Sequence, residues 1–333
     1  ASDLEAYYKL NESSGTTASD ETSNNNDGTL NNMTNADWVT STAPWAIESA
    51  QAGNWSATST WSGGVIPNSP NQNVEISHDV TVDNDYEAKK LTILGSTLTI
   101  SPTSSLTIYD DLSSTGTLMV ESDVAGNVGS FIDAGVLDGT MKLKRIVTQN
   151  QWHYISFPIA SGTSDMFTNS ALYYYDETEP NNNDKWQPLG PGQSLNVAQG
   201  YDIYYHNTGN QTITFNGTFN TGNQSLSLTS QNVGYNLVGN PYPSTIDWDA
   251  ASGWTRTNIG SAIYIWNGSQ LESYVQGGGT GPNGGSRYIP ATQGFFVIAS
   301  SATTIGMSDA IRVTNERALR NNEYEINEIR FKV

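Results

Sequence analysis

The sequence predicts an all-β protein: a short β-solenoid or β-helix-like domain followed by an antiparallel β-sandwich of jelly-roll type. Three observations carry that expectation. Short Val, Ile, Thr, Tyr and Phe runs alternate with Gly, Asn, Asp and Ser clusters along nearly the whole chain. Helical periodicity is almost absent; only residues 309–320 (DAIRVTNERALR) have a helical composition, and Val313 and Thr314 weaken it. The strands also change character after residue 150, from brief and aliphatic to longer and aromatic.

Four regions follow in order. Residues 1–48 are rich in Asn and Thr and are expected to be a partial domain or a strand-donating segment. Residues 49–150 contain VEISHDVTVD, KKLTIL, STLTISP, SSLTIYDDL and GTLMVES, strands that recur about every ten residues with Gly or Ser between them. Leu91, Leu98, Leu106, Leu112 and Leu118 are spaced so that each stacked coil supplies one inward apolar residue. A meandering sandwich is the alternative for this stretch. Residues 151–308 hold WHYISFPI, ALYYYDE, GYDIYYHN, QTITFNGTF, SAIYIWNG and QGFFVIAS, which predict the sandwich. Residues 309–333 form a mixed-charge tail whose strand-like end, EINEIRFKV, is expected to open a further domain or to pair with a partner.

The chain has 333 residues and a net charge of −19. Nucleic acid and anionic membranes repel such a surface. Only 14% of the residues are charged, so Asn, Ser, Thr, Gly and Gln must supply most of the surface, as in secreted bacterial β-proteins. There is no cysteine, which excludes disulfides and thiolate-bound metals. No apolar run approaches the ~18 residues of a membrane span. With 36% hydrophobic and 10% aromatic residues, the chain can build a core.

The densest stretch is GYNLVGNPYPSTIDWDAASGW, residues 234–254. Asp247 and Asp249 flank Trp248, and in a strand they would share a face about 7 Å apart. Glycoside hydrolysis uses two carboxylates about 5–10 Å apart. The flanking residues favour a structural role over a metal site or catalysis: a helix start with Ser244 or Asp247 as its N-cap, with a metal role left open. Asn240 and Tyr242 each precede a proline and are pushed to extended backbone, and either bond is open to the cis form. No H-E-x-x-H or G-x-S-x-G pattern occurs, so zinc and serine hydrolysis are unsupported.

Calcium is the cofactor this composition admits, because hard cations want clustered oxygens. Two loops share the pattern D-E-T followed by N-N-N-D, residues 20–27 and 176–184. Asp20, Asn25, Asp27, Asp176 and Asp184 are the candidate ligands; solvated Asn/Asp turns are the structural alternative. For sugars, whose rings have an apolar face and a polar rim, aromatic side chains are the natural platform. Trp186, in the polar NNNDKWQPLG segment, is the first candidate, followed by Trp266 in IWNG and by Tyr274. Core packing is the alternative for most of the aromatics.

The block GNWSATSTWSGGVIPNSPNQNVEISHDVTVD (residues 53–83) resembles the opening of β-helical modules in secreted surface proteins of the Bacteroidetes. WHYISFPI, GYNLVGNPYPSTIDW and IPATQGFFV, between residues 152 and 297, resemble the module that often follows it in type IX secretion cargo. The N-terminal YYKLNESSGTTASDETSNNNDGTL looks like the first strands of a laminin-G-like module, in which the Asp and Asn positions of the first loop match a calcium-binding turn. The resemblance implies a secreted, non-catalytic surface protein for adhesion or extracellular recognition of a polysaccharide or cell-surface glycan. Two alternatives stay open. One is a subunit of an extracellular fibre, self-associating through its terminal strands. The other is an accessory region of a polysaccharide-degrading enzyme.

Overall fold

The computed structural model describes residues 5–8, 10, 12, 14–38, 46–181, 184–206 and 209–314. The expected terminal strand EINEIRFKV lies outside them. The chain divides into two compact units, Ala1–Trp45 and Ala46–Val333. In the first, Thr17–Ala18 pairs antiparallel with Gly28–Thr29, and the Trp38 indole N–H donates to the Gly15 carbonyl at 2.9 Å.

The second unit opens with a parallel β-solenoid of about three turns. Its register stacks like on like. Val74 pairs with Leu91 and Leu91 with Leu112; Val80 pairs with Leu98 and Leu98 with Leu118. A second parallel sheet sets Leu106 between Tyr86 and Phe131. All five leucines of the expected ladder are buried, none more than 1% exposed. The physical reason is the period-2 alternation within each short strand: Val80 and Val82 point inward while Thr81 does not, and the next coils repeat this as Leu98/Ile100 and Leu118/Val120. At about 1.5–3 kcal/mol per buried aliphatic side chain, this column supplies most of the solenoid's cohesion.

The strand Leu112–Val120 serves two neighbours. It pairs with Leu91–Ile93 at its start and with Thr97–Ile100 at its end, and its register shifts between Ser113 and Thr117. Gly116 sits at the shift, where a Cβ would collide with the backbone carbonyl oxygen of Ser96. Gly116→Ala is therefore expected to cost roughly 1–3 kcal/mol, read as a lower urea midpoint at unchanged m-value.

The last solenoid strand, Leu137–Val147, is parallel to Leu112–Val120 on one side and antiparallel to Gln211–Asn216 on the other. From there every main ladder is antiparallel. The sandwich region carries four further sheets, where the sequence suggested two. One holds Trp152–Ile155, Tyr201–Tyr204, Ala171–Tyr175 and Trp186–Pro188 in that order. A second is built on Tyr235–Gly239, Gly294–Ile298, Ala262–Trp266 and Leu271–Val275. Two three-stranded sheets complete it, one around Thr303–Met307 and one around Thr245–Asp247. One large core runs from Trp55 through the solenoid into Ile203 and Phe215, so solenoid and first sheet share an interior. A second core surrounds Trp248 and Phe295.

The GNPYP segment is the corner joining these parts. Asn240 is fully buried, and its side-chain amide donates to the carbonyls of Ser244, Ile289 and Pro290 at 2.8, 3.1 and 2.9 Å. The Phe131 N–H donates to the Pro243 carbonyl at 2.9 Å, tying solenoid to corner. Both X-Pro bonds of the corner are trans. No helix follows, contrary to the expected N-cap: Thr245–Asp247 is a strand, and the Ser244 hydroxyl accepts from the Arg312 guanidinium at 3.2 Å. Residues 309–320 are not a helix where they are described either. Asp309–Ile311 is a single 3-10 turn, and Arg312–Val313 is a strand pairing with Thr245 and Ile246. The β-branched Val313 favours that extended form.

Candidate ligand-binding site

Each strand of the first antiparallel sheet has two different faces. His153, Ile155, Leu172 and Ile203 point to the main core. The alternate positions, Trp152, Tyr154, Tyr173, Tyr175, Trp186, Asp202 and Tyr204, fall on the opposite face. Register then assembles them. Asp202 lies between Tyr154 and Tyr173 on neighbouring strands, and Tyr175 is opposite Trp186.

The second sheet presents a matching face. Ile263, Ile265, Phe295 and Val297 enter the core around Trp248, while Tyr235, Leu237, Tyr264, Trp266 and Phe296 turn the other way. The two aromatic faces meet. Tyr154 contacts Phe296 edge-on at 5.4 Å, and Trp186 lies 5.8 Å from Tyr154 and 6.1 Å from Phe296. Between them opens a cleft of about 400 Å³, lined by Trp152, Tyr154, Tyr173, Trp186, Asp202 and Trp266. That volume lies within the ~300–1,000 Å³ range of small-molecule sites.

Asp202 is the one carboxyl among these lining residues. It is 8% exposed, and its Oδ1 has no hydrogen-bond partner. Burial pushes its carboxyl up to about 8, against the opposing pull of the Ile203 N–H. At neutral pH the group is thus mostly protonated, both donor and acceptor. Burial also raises the Tyr154 phenol, with the Asp202 and Tyr175 charges adding to the effect. The Trp266 indole nitrogen is a second buried polar atom without a partner. A cleft with aromatic walls and two unmet polar atoms is suited to a ligand with an apolar face and hydroxyl-bearing edges.

Of the residues singled out by sequence, Trp186 and Trp266 are brought together here. Neither is in a loop: Trp186 opens the strand Trp186–Pro188, Trp266 ends Ala262–Trp266, and both are half-buried. Tyr274 stands apart. It is 9% exposed in the core around Trp248, and its hydroxyl donates to Asp249 Oδ2 at 2.5 Å. Sequence reading missed Trp152, Tyr154, Tyr173 and Asp202. The signal was present in WHYI, ALYYY and YDIY: where aliphatic residues already occupy the core-facing positions, aromatics on the alternate positions need a second burial site or a ligand.

Asp247 and Asp249 are tied to their surroundings. The Arg287 guanidinium donates to both Asp247 oxygens, from Nε at 2.6 Å and Nη2 at 2.5 Å. Asp249 accepts from Tyr274 and from the Gly277 N–H at 3.1 Å, and its own N–H donates to Asp247 Oδ1 at 2.9 Å. The pair therefore clamps the Gly-rich loop to the corner. Trp248, between them, is fully buried beneath the Arg256 guanidinium, 4.4 Å from its ring.

The two Asp/Asn loops are also closed from within. Asp20 accepts from the backbone N–H groups of Tyr7, Thr22 and Asn26 and from the Thr22 hydroxyl. Desolvation would raise its carboxyl, but those bonds outweigh it and hold it at about 2. Asp27 Oδ1 accepts from the Asp20 N–H at 2.9 Å, while Asp27 and Asn25 are themselves exposed. In the second loop, Asp176 accepts from the Thr178 N–H and hydroxyl, and Asp184 from the Asn181 amide. There the cationic centre is a lysine: Lys185 is 2% exposed and donates to the carbonyls of Glu177 and Glu179 at 3.0 and 2.7 Å. Among the described residues no group of three or more His, Cys, Asp or Glu side chains is placed to hold a metal ion. In each loop some of the candidate carboxylate oxygens accept from protein donors: both oxygens of Asp20 and Oδ1 of Asp27 in the first, Asp176 Oδ1 and Asp184 Oδ2 in the second.

No helix among the described residues is long and apolar enough to cross a membrane. Comparison with curated proteins and with solved structures finds no match to the chain. One family model does match: a domain of unknown function, DUF8693, over residues 45–277. The match takes in the whole solenoid, the first aromatic sheet and the strand that carries Trp266. The cleft's lining residues, Trp152 to Trp266, all fall within the matched range, and the chain belongs to that family.

Proposed function

We propose that this is a secreted, non-catalytic cell-surface protein that recognises a glycan through the aromatic cleft between its first two antiparallel sheets. The observation that carries the proposal is the convergence of three tryptophans and two tyrosines around one buried acid with an unmet oxygen. A pyranose ring stacks its C–H face on an indole while its hydroxyls meet Asp202 and Trp266. A single carboxyl in the cleft supports binding over hydrolysis, which uses a pair. The low charge and neutral polar surface, together with the resemblance to exported surface modules, support the extracellular setting.

A glycan array followed by isothermal titration tests this. Trp186→Ala is expected to weaken binding of the best polysaccharide by about 10- to 100-fold, as for a central aromatic contact, with the far-ultraviolet circular dichroism unchanged. Absence of binding to every polysaccharide by the unaltered chain removes the proposal.

A further inference from the structure

The cleft's polar atoms are unusually specific in what they lack. Asp202 Oδ1 is an acceptor with no donor, and Trp266 Nε1 is a donor with no acceptor. Among the described residues no Lys, Arg or His lines the cleft, and the strand neighbours that flank Asp202 are Tyr154 and Tyr173. The carboxyl therefore meets aromatic rings where a buried acid ordinarily meets a cation. Aromatic faces are themselves negative and attract ammonium groups, most strongly when water is excluded. A neutral hexose satisfies both unmet atoms but makes no use of that field. An N-acetylated sugar offers an amide N–H without charge, and a uronic acid brings a second negative charge against Asp202.

From this geometry we infer that the cleft selects a glycan unit bearing a free amine, a hexosamine, with its ammonium group against Asp202 and its ring on the indoles. This rests on the glycan reading above and narrows it. The ammonium supplies the donors that Asp202 lacks, and ring hydroxyls supply the acceptor for Trp266. Where Asp202 starts protonated, binding moves that proton to solvent and leaves an ammonium–carboxylate pair, stronger than a neutral hydrogen bond.

The test compares three tetrasaccharide probes on the full chain by isothermal titration at pH 6.5: β-1,4-linked glucosamine, its N-acetylated form, and the neutral glucose tetramer. The glucosamine tetramer is expected to bind at least roughly tenfold more tightly than the other two, and Asp202→Asn to abolish that preference. Tighter binding of either uncharged probe, or an unchanged preference in Asp202→Asn, overturns the inference and leaves glycan recognition standing. Failure of every glycan, here and on the array, overturns both. Because the ligand comparison is made on the unaltered protein, it stands however well the variant folds.

Discussion

Arg312→Ala is expected to destabilise the second unit by about 3–5 kcal/mol, the cost of leaving a buried acid without its partner. Both side chains of the Arg312–Asp133 pair are 0% exposed, with Nη2 to Oδ1 at 2.9 Å. The same guanidinium donates to the carbonyls of Phe131 and Asp133 and reaches Asp309 at 3.0 Å. Asp133 occupies a solenoid column position, stacked in register on Ile108, which stacks on Ala88. It is an acid where the repeat would place an aliphatic residue, and Arg312 from the far end of the unit neutralises it. Burial raises the Asp133 carboxyl, while the Arg312 charge and hydrogen bond restrain it. Without Arg312 the group rises further and takes a proton. A raised folded-state carboxyl costs stability as pH rises above its unfolded value, so the penalty in Arg312→Ala is expected to shrink as pH falls toward 4. Urea midpoints at pH 4, 5.5 and 7 read this directly. The double variant Arg312→Met with Asp133→Leu is expected to recover most of the loss, because it removes both charges and keeps the volume.

Asp202→Asn is expected to do the opposite, stabilising the protein while damaging its site. The folded-state carboxyl lies at about 8, far above its ordinary 3.8. Below pH 3.8 the acid is neutral in both states and costs nothing. Between there and pH 8 the unfolded chain ionises first and folding stability is progressively lost; above pH 8 the loss is complete. By pH 8 the difference is on the order of a few kcal/mol. Thermal unfolding is expected to show a melting temperature that falls from pH 4 to pH 8 in the wild type and stays flatter in Asp202→Asn, the two converging at acid pH. Parallel profiles would show that Asp202 is not strained in the free protein. A group kept at a cost to folding, in a cleft of aromatic rings, fits a binding role better than a packing role.

The fold was legible where a local rule and the tertiary structure agree. The leucine ladder is such a case: short strands with period-2 burial, repeated at coil spacing, have few ways to hide their apolar faces except by stacking. The corner at Asn240 was legible as a backbone constraint, because proline restricts its neighbours in any context. The strand Thr245–Asp247 was misread as a helix start, because S-T-I-D also satisfies an N-cap pattern. What decides it is pairing with Tyr288 and Ile289 and with Arg312 and Val313, which lie about 40 to 70 residues further along and leave no local trace. The site was half visible. Trp186 and Trp266 stood out by their polar neighbours. Asp202 and Tyr154 were hidden inside strands that look like ordinary core, since sequence shows that a strand is two-faced but not what covers the second face.

The antiparallel junction between Leu137–Val147 and Gln211–Asn216 has a bearing on how long such a protein can be. Before that junction the strand ladders of each coil pair with those of coils like itself, as a stack of spacers does. Adding or deleting one whole coil changes the stack by about 4.8 Å, one strand spacing, without asking any strand ladder to pair with a new kind of neighbour. The final coil has no such freedom, because the sandwich is built onto it. The height of the stack can therefore change independently of the cleft, whose lining residues all follow the last coil in the chain.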